Sequence, residues 1–326
     1  MLDRYGRRID YLRISVTDRC NLRCRYCMPE TGVEDIGHSN VLSFEQILRV
    51  VKIASGMGIR KVRLTGGEPL VRKNIVWLIR QISRISKIKD IGLTTNGTLF
   101  AAMAEELQAA GLTRVNFSLD TLRQETFHYI TRRGQLQDVL QAINKALRIG
   151  MAPVKINVVV MRGINDQEIP EFVKMAYDLP LQVRFIEFMP IGNLPFFQPR
   201  RLMTADAIRD IIDKDYDLYP DRASQSSGPA VCYRLRGGRG SVGFISPLSH
   251  RFCSDCSRLR LTADGQLRGC LFAKNEISLK MLLQNNASSE IIAALLQKTI
   301  WEKPAHHHFS TGWGEDNCRK MYQIGG

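Results

Sequence analysis

The 326-residue chain lacks any run of 18 apolar residues, and its start, Met1-Leu2-Asp3-Arg4-Tyr5-Gly6-Arg7-Arg8, lacks the apolar stretch of an export signal. Neither a membrane span nor a signal peptide is expected, so the expected location is cytoplasmic. Internal repeats and low-complexity tracts are missing, and the composition excludes collagen-like, coiled-coil and disordered classes. Acidic residues are scarce beside basic ones: 32 Asp and Glu against 46 Lys and Arg leave a net charge of +14. That excess suits nucleic acid, anionic lipid or a nucleoside triphosphate, and charge alone does not choose among them. The length suggests two domains, or one large barrel with an appendage.

Cysteines are few but grouped. Six of the 8 form two trios, Cys20, Cys24 and Cys27 near the start and Cys253, Cys256 and Cys270 near the end. Without an export signal the thiols stay reduced, so clustered Cys read as metal or cluster ligands before disulfides. Cys232 and Cys318 stand alone and read as small apolar packing residues.

From residue 9 to about 190, short β-branched runs alternate with amphipathic stretches. The strands expected are Tyr11–Val16, Lys61–Thr65, Ile91–Thr94, Arg114–Ser118, Val154–Val160 and Val183–Phe188. A capping box at Ser43-Phe44-Glu45-Gln46 opens the first helix, which runs to Gly56 or Gly58. Further helices are expected at about Asn74–Ile85, Leu99–Ala110, Gln135–Ile149 and Gln167–Tyr177. One strand face is apolar (Leu12, Ile14, Val62, Leu64), and the other is polar and cationic (Arg13, Lys61, Arg63, Lys155). Parallel sheets are ordinarily apolar on both faces, so this pattern predicts a curved sheet with an open, wet concave side. An antiparallel sheet with one solvated face is the alternative. The fold class expected is α/β: a partial, open, six-stranded TIM-type βα barrel (1–222) with a smaller C-terminal α+β extension (223–326). Arg222–Pro229 is linker material; helical stretches follow near Ile277–Gln284 and Ser289–Trp301.

The first trio is a CxxxCxxC loop directly after the first strand. Three thiolates can each hold one iron of a four-iron, four-sulfur cube and leave the fourth iron open to a chelating substrate. Structural zinc completed by His38 is the alternative. With Tyr26 just before the last Cys and Gly66-Gly67-Glu68-Pro69 after the second strand, the chain resembles the radical S-adenosylmethionine superfamily. The resemblance implies that S-adenosylmethionine chelates the open iron and that its reductive cleavage yields a 5′-deoxyadenosyl radical. Glycines beside Glu68 would let that carboxylate and backbone carbonyls approach an ammonium group. Strand-end residues would share one mouth of the barrel. By position in the family, Tyr26, Gly67, Thr94, Ser118, Lys155 and Met189 are the residues implied for S-adenosylmethionine.

The second trio reads CxxC with a further Cys fourteen positions on, and by spacing a zinc knuckle with His250 stands level with an iron–sulfur site. This stretch and the terminal Gly325-Gly326 resemble the GTP 3′,8-cyclase family of molybdenum cofactor biosynthesis, and the resemblance spans Arg13 to Gly326. It implies two 4Fe-4S clusters, the second held by Cys253, Cys256 and Cys270 and binding the guanine of GTP. It also implies abstraction of the 3′ hydrogen and closure of C3′ onto C8, giving (8S)-3′,8-cyclo-7,8-dihydroguanosine 5′-triphosphate. Between Arg222 and Arg268 stand eight Arg and no Lys, and guanidinium forks suit phosphate independently of any family. Arg258 and Arg260, two apart, would share one strand face. The positions implied around the triphosphate are Arg13, Lys61, Arg63, Arg184, Arg258 and Arg260, and the tail Gly325 and Gly326 is implied as a catalytic aid. Implied partners are a reducing protein such as a flavodoxin or ferredoxin, a downstream cyclic pyranopterin monophosphate synthase, and a second copy in a homodimer. Membrane and nucleic-acid partners are not expected. His306-His307-His308 is assigned nothing. Rival readings are a radical enzyme acting on peptide or RNA, and a zinc-ribbon nucleic-acid binder; the latter lacks interleaved exposed aromatics.

Overall fold

The computed structural model describes residues 1–33, 37, 40–191, 195–221, 228–307 and 319–325. His38, the proposed domain boundary at 222/223, His308, Cys318 and Gly326 lie outside the described residues. Strands β1 (Tyr11–Ser15), β2 (Lys61–Thr65), β3 (Asp90–Thr95), β4 (Arg114–Ser118), β5 (Val154–Val160) and β6 (Leu181–Glu187) fall where the β-branched runs predict. Beyond them come β7 (Leu218–Pro220), β8 (Val231–Leu235), β9 (Ser241–Ile245), β10 (Arg258–Leu261), β11 (Gln266–Arg268) and β12 (Ile277–Ser278). The helices are α1 (Phe44–Met57), α2 (Ile75–Ser83), α3 (Phe100–Ala109), α4 (Gln124–Thr131), α5 (Leu136–Arg148), α6 (Ile169–Asp178), α7 (Ala205–Ile212), α8 (Lys280–Gln284), α9 (Ser289–Trp301) and α10 (Met321–Ile324).

All twelve strands join one sheet in the order β12-β11-β10-β1-β2-β3-β4-β5-β6-β9-β8-β7. This corrects the six-stranded expectation. The six predicted strands are parallel neighbours, but β10 adds parallel to β1 and β9 adds parallel to β6. The C-terminal part therefore supplies both flanks of the same sheet. A four- or five-residue strand whose partner is far away in sequence leaves little local signal, because the pattern records only its own alternation. Helix α4 was not anticipated, and the stretch expected as one helix at Ile277–Gln284 divides into β12 and α8.

The capping box at Ser43 forms as expected. Ser43 Oγ accepts from Gln46 N at 3.2 Å, Gln46 Oε1 accepts from Ser43 N at 2.9 Å, and Gly58 (φ 116°) ends α1. Ile47, Val50, Val51 and Ala54 on its inner face pack with Leu12, Ile14, Val62 and Leu64 in one continuous core. The opposite strand face is polar, as predicted, but it is not open. Arg63 is 3% exposed, Arg260 5%, Arg184 8% and Lys155 9%. The expectation of a wet concave side fails because segments from the C-terminal part cover it.

Candidate active site

The first thiol loop leaves β1 and is anchored from two sides. Arg23 N and Arg25 N donate to Thr131 O and Ile130 O at the end of α4, both at 2.9 Å. A helical turn brings Cys27 N to Cys24 O at 2.9 Å. On the other side Gly67 N donates to Thr17 O at 2.7 Å and Glu68 N to Arg19 O at 2.8 Å. Side chains have no room here: a Cβ on Gly66 would lie 2.5 Å from Thr17 O, and one on Gly67 2.3 Å from Arg19 O. The glycine pair thus lets two backbones touch and fixes the approach to Cys20.

Glu68 caps the short turn Pro69–Val71 that follows the glycine pair. It is buried, its Oε1 accepts from Leu70 N (3.0 Å) and Thr95 Oγ1 (2.8 Å), and its Oε2 accepts from Asn96 N (2.7 Å). Burial lifts its carboxyl to about 7 against the pull of these donors. The loop it braces carries Asn96, whose amide lies 3.7 Å from Cys20 Sγ and donates to Asn21 Oδ1 at 2.8 Å. The three thiols share charge. Burial, then Cys27, Cys20 and Asp120, push Cys24 well up; burial and Cys20 take Cys27 to about 12; burial and Glu68 take Cys20 to about 11. Three soft donors that couple electrostatically on one half-buried loop need a cation to ionise, and the irons of a cluster would supply one. The donor set fits that group.

Tyr26 is held by a buried hydrogen bond from its hydroxyl to Asp120 Oδ2 at 2.6 Å and by edge contact with Phe188, centroids 6.1 Å apart. Burial raises Asp120 to about 6. Ser118 ends β4 and Met189 follows β6, on the same side of the sheet as the first thiol loop. Thr94 and Lys155 sit among cations instead. Thr94 Oγ1 accepts from Arg63 Nη1 at 3.4 Å, and burial with Arg184, Arg114 and Arg63 nearby brings Lys155 down to about 7.

The middle of the polar face is a cationic layer. In register across three strands, Arg260 lies beside Arg13 and Arg13 beside Arg63, with Arg258 beside Tyr11. Burial lowers Arg13 and Arg184 to about 10 and Arg260 well below its usual value, and neighbouring guanidinium groups add to each shift. Tyr11 is lowered as well, for a different reason: burial raises it, but Arg63 and Arg13 overcome this and leave it at about 8. Its hydroxyl accepts from Arg63 Nε. Arg260 Nη1, Asn116 Oδ1 and Asn157 Oδ1 are buried without hydrogen-bond partners. Desolvated positive charge with the Arg260 Nη1 donor left over is what a polyanionic ligand would satisfy, whereas the two amide oxygens call for a donor group. Lys61 differs from the others, pairing with Asp10 at 3.7 Å.

Only Arg258 and Arg260 of the eight C-terminal arginines join this layer among the described residues. Arg234 and Arg236 pair outward with Asp221 and Asp217, and Arg268 is buried against Glu276. Spacing cannot make that distinction; strand pairing does.

The second trio sits at the other end. Cys253 and Cys256 precede β10, and Cys270 follows β11, which runs antiparallel to β10. Cys20 follows β1, parallel to β10. The five residues of β1, at ~3.3 Å each, separate the two groups by about 15 Å, with the cationic layer between. Burial raises Cys256, but Arg258 and Lys303 outweigh it and leave the thiol at about 6. Lys303 and Arg7, both unremarkable in sequence, frame this group. Lys303 Nζ donates to Arg258 O (3.1 Å) and Gly269 O, and Arg7 Nη1 to Cys253 O (2.8 Å) while Nε meets Asp3 at 2.6 Å. His250, the fourth ligand of the zinc alternative, has its Nε2 2.9 Å from both carboxylate oxygens of Asp206. His307 is buried on Pro247 O at 2.9 Å, a packing role.

Arg13 Nη2 donates to Gly325 O at 3.2 Å, and Gly325 (φ +81°) lies so close to Ser15 and Thr65 that a Cβ would be within 3.0 Å of both.

Comparison with known proteins agrees with this arrangement. The Radical SAM superfamily profile matches residues 14–176 and the Molybdenum Cofactor Synthesis C profile residues 181–309. The chain is 59% identical to a GTP 3′,8-cyclase of Syntrophomonas wolfei over 326 residues, covering all of both chains. It is 51% identical to one from Desulforamulus reducens and 50% to one from Moorella thermoacetica, again over the full length of each. Among solved structures, Streptococcus suis SuiB bound to S-adenosylmethionine aligns at TM-score 0.62 and 14% identity over 97% of this chain and 77% of that one. The structure of anSMEcpe with bound AdoMet aligns at 0.59 and 16% over 96% and 87%. These two distant likenesses concern the fold. The motif, the architecture and the full-length relatives agree, and the chain belongs to the radical S-adenosylmethionine superfamily and, within it, to the GTP 3′,8-cyclase family.

Proposed function

We propose that the chain performs its family's GTP 3′,8-cyclase reaction with the two thiol groups as opposite walls of one chamber and the cationic layer as the phosphate seat between them. The observation that carries this is the stacking along β1 and β10: thiols at each end, Arg13, Arg63, Arg258 and Arg260 in the middle. When bound, the first 4Fe-4S cluster with S-adenosylmethionine supplies a 5′-deoxyadenosyl radical, the agent that removes the 3′ hydrogen of GTP before C3′ closes onto C8.

Cys20, Cys24 and Cys27 would hold that cluster, and Cys253, Cys256 and Cys270 a second one. Tyr26, Gly67, Ser118 and Met189 would border S-adenosylmethionine, with Asp120 fixing the tyrosine ring. Arg13, Arg63, Arg184, Arg258 and Arg260 would seat the triphosphate, each guanidinium offering a planar fork to phosphate oxygens. Thr94 and Lys155, assigned by resemblance to S-adenosylmethionine, have surroundings that favour the phosphate set, because Arg63 contacts the first and three arginines surround the second. Lys61, paired with Asp10, would reach the phosphates only after exchanging that partner. Gly325 and Gly326 would close the chamber beside Arg13 and keep water out. The division at 222/223, a flavodoxin- or ferredoxin-type reductant, hand-off to a cyclic pyranopterin monophosphate synthase, a homodimer and a cytoplasmic setting complete the reading. Among the described residues no helix is long and apolar enough to cross a membrane.

The test is anaerobic incubation of iron-loaded protein with reductant, S-adenosylmethionine and GTP. The expected result is a GTP isomer by mass, with 5′-deoxyadenosine alongside; a fully loaded protein that yields 5′-deoxyadenosine but no isomer refutes the substrate. About eight irons per chain are expected if both trios carry a cube, and about four if only the first does. Stoichiometric zinc would refute both.

A further inference from the structure

The last seven described residues are held by a polar latch that no motif foreshadows. Arg319 meets Asp264 with two nitrogens, Nη1 to Oδ1 at 3.2 Å and Nη2 to Oδ2 at 2.8 Å, and its Nε lies 2.6 Å from Glu276 Oε1 and 2.9 Å from Oε2. The three side chains are only 21%, 30% and 18% exposed, so the contact is partly shielded from solvent. Both anions are rigidly placed. Asp264 belongs to the tight turn between β10 and β11, where it also accepts from Thr262 Oγ1 at 2.5 Å, and Glu276 is clamped by buried Arg268. The carboxyl of Asp264 is lowered, with Arg319 and Thr262 overcoming its burial. Immediately beyond the latch, Lys320 caps α10: its backbone N–H donates to Gln323 Oε1 at 2.8 Å and its carbonyl oxygen accepts from Gln323 N at 3.0 Å. The short helix then places Tyr322 against Cys27, its backbone N–H hydrogen-bonded to that thiol, and Gly325 O against Arg13. From Arg319, held between the β10–β11 turn and Glu276, the chain thus runs along the end of the sheet that carries the first thiol loop.

We propose that Arg319 is a positioning residue, a latch that registers the C-terminal segment so that Gly325 lies against Arg13 and Tyr322 against the first thiol loop. The inference rests on the reading of the tail as a chamber wall, but the latch itself is a claim about where the segment is held. A bidentate charge-assisted pair is directional, so it sets the register of the segment as well as its affinity. Asp264 and Glu276 together give it an anionic cradle that a lysine, with one point charge and no fork, fills poorly. By this account the second thiol hairpin and the first thiol loop are mechanically joined through residues 319–325.

The test uses the loaded holoenzyme and four variants: Arg319→Gln, Arg319→Asp, the exchanged pair Arg319→Asp with Asp264→Arg, and Gly325→Ala. Glu276 is left intact because Arg268 depends on it. Hydrogen exchange of backbone amides 320–325 is read beside iron content, and turnover is read as the ratio of cyclised GTP to 5′-deoxyadenosine. With Arg319→Gln the expected result is unchanged iron, tail amides exchanging about tenfold faster, and a fall in cyclised product per 5′-deoxyadenosine. Arg319→Asp is expected to be worse than Arg319→Gln, and the exchanged pair to recover most of the loss, which a merely structural effect of losing a side chain would not do. Unchanged tail protection in Arg319→Gln overturns the latch, as does an exchanged pair no better than Arg319→Asp alone. Gly325→Ala separates the two readings: normal coupling in Gly325→Ala together with a loosened tail in Arg319→Gln refutes the chamber-wall role and upholds the latch.

Discussion

Gly67 and Lys155 show how single residues tune this site. A Cβ at Gly67 would fall on two carbonyl oxygens, 2.3 Å from Arg19 O and 2.6 Å from Asp18 O, and neither can yield without moving the backbone that leads to Cys20. Gly67→Ala is expected to cost about 2 kcal/mol and to lower iron loading of the first trio, read as a fall in iron per chain. Full loading with wild-type melting would contradict the packing argument. Cys24→Ala is expected to abolish 5′-deoxyadenosine formation from S-adenosylmethionine, and persistent formation would overturn the first site. Lys155 is brought down to about 7 by burial and by Arg184, Arg114 and Arg63. Bound phosphate favours its charged form, so GTP binding takes up a proton. Affinity therefore falls as pH rises through about 7, by at most ~tenfold per unit. Lys155→Met carries only the nucleotide's own titration, and the difference between the two proteins' pH profiles isolates the lysine; identical profiles would remove it from the phosphate set.

At the scale of elements, the decisive pairing is β10 against β1. It puts Arg258 beside Tyr11 and Arg260 beside Arg13 and selects these two from a run of eight arginines. Arg258→Ala with Arg260→Ala is expected to weaken GTP far more than guanosine in equilibrium binding, because the loss falls on phosphate contacts. Equal losses would argue against a triphosphate seat. The βα repeat was legible because its strands and most of its helices carry their own periodicity, and the capping box at Ser43 forms as read. Helix α4 has only eight residues, about two turns, too few for the 3.6-residue period to stand out, although its end anchors Arg23 and Arg25.

For the whole molecule, one sheet carries both cysteine groups. Strands β9 and β10, from the C-terminal part, cover the outer edges of β6 and β1. A fragment ending at residue 221 would expose both edges of the parallel sheet and the apolar faces around Leu12 and Val183, an arrangement prone to aggregation. Such a fragment is expected to be insoluble or unfolded by circular dichroism, whereas a soluble, cooperatively melting fragment would show that the first part folds by itself. The six-stranded expectation missed this dependence because parallel partners more than 200 residues apart in the chain, such as Arg13 and Arg260, leave no trace in either segment.

The sequence by itself determined the chemistry available: two cysteine trios, a glycine pair after the second strand, alternating faces and a surplus of guanidinium groups. These are local properties, written in spacing, and they sufficed for the family and the βα core. Tertiary structure alone decided which arginines share a layer, that Glu68 braces the loop carrying Thr95 and Asn96, and that Arg7, Lys303 and Arg319 hold distant segments to the thiol groups. Such contacts form where chain neighbours are remote, and a buried charge takes its role from the partners that folding brings to it.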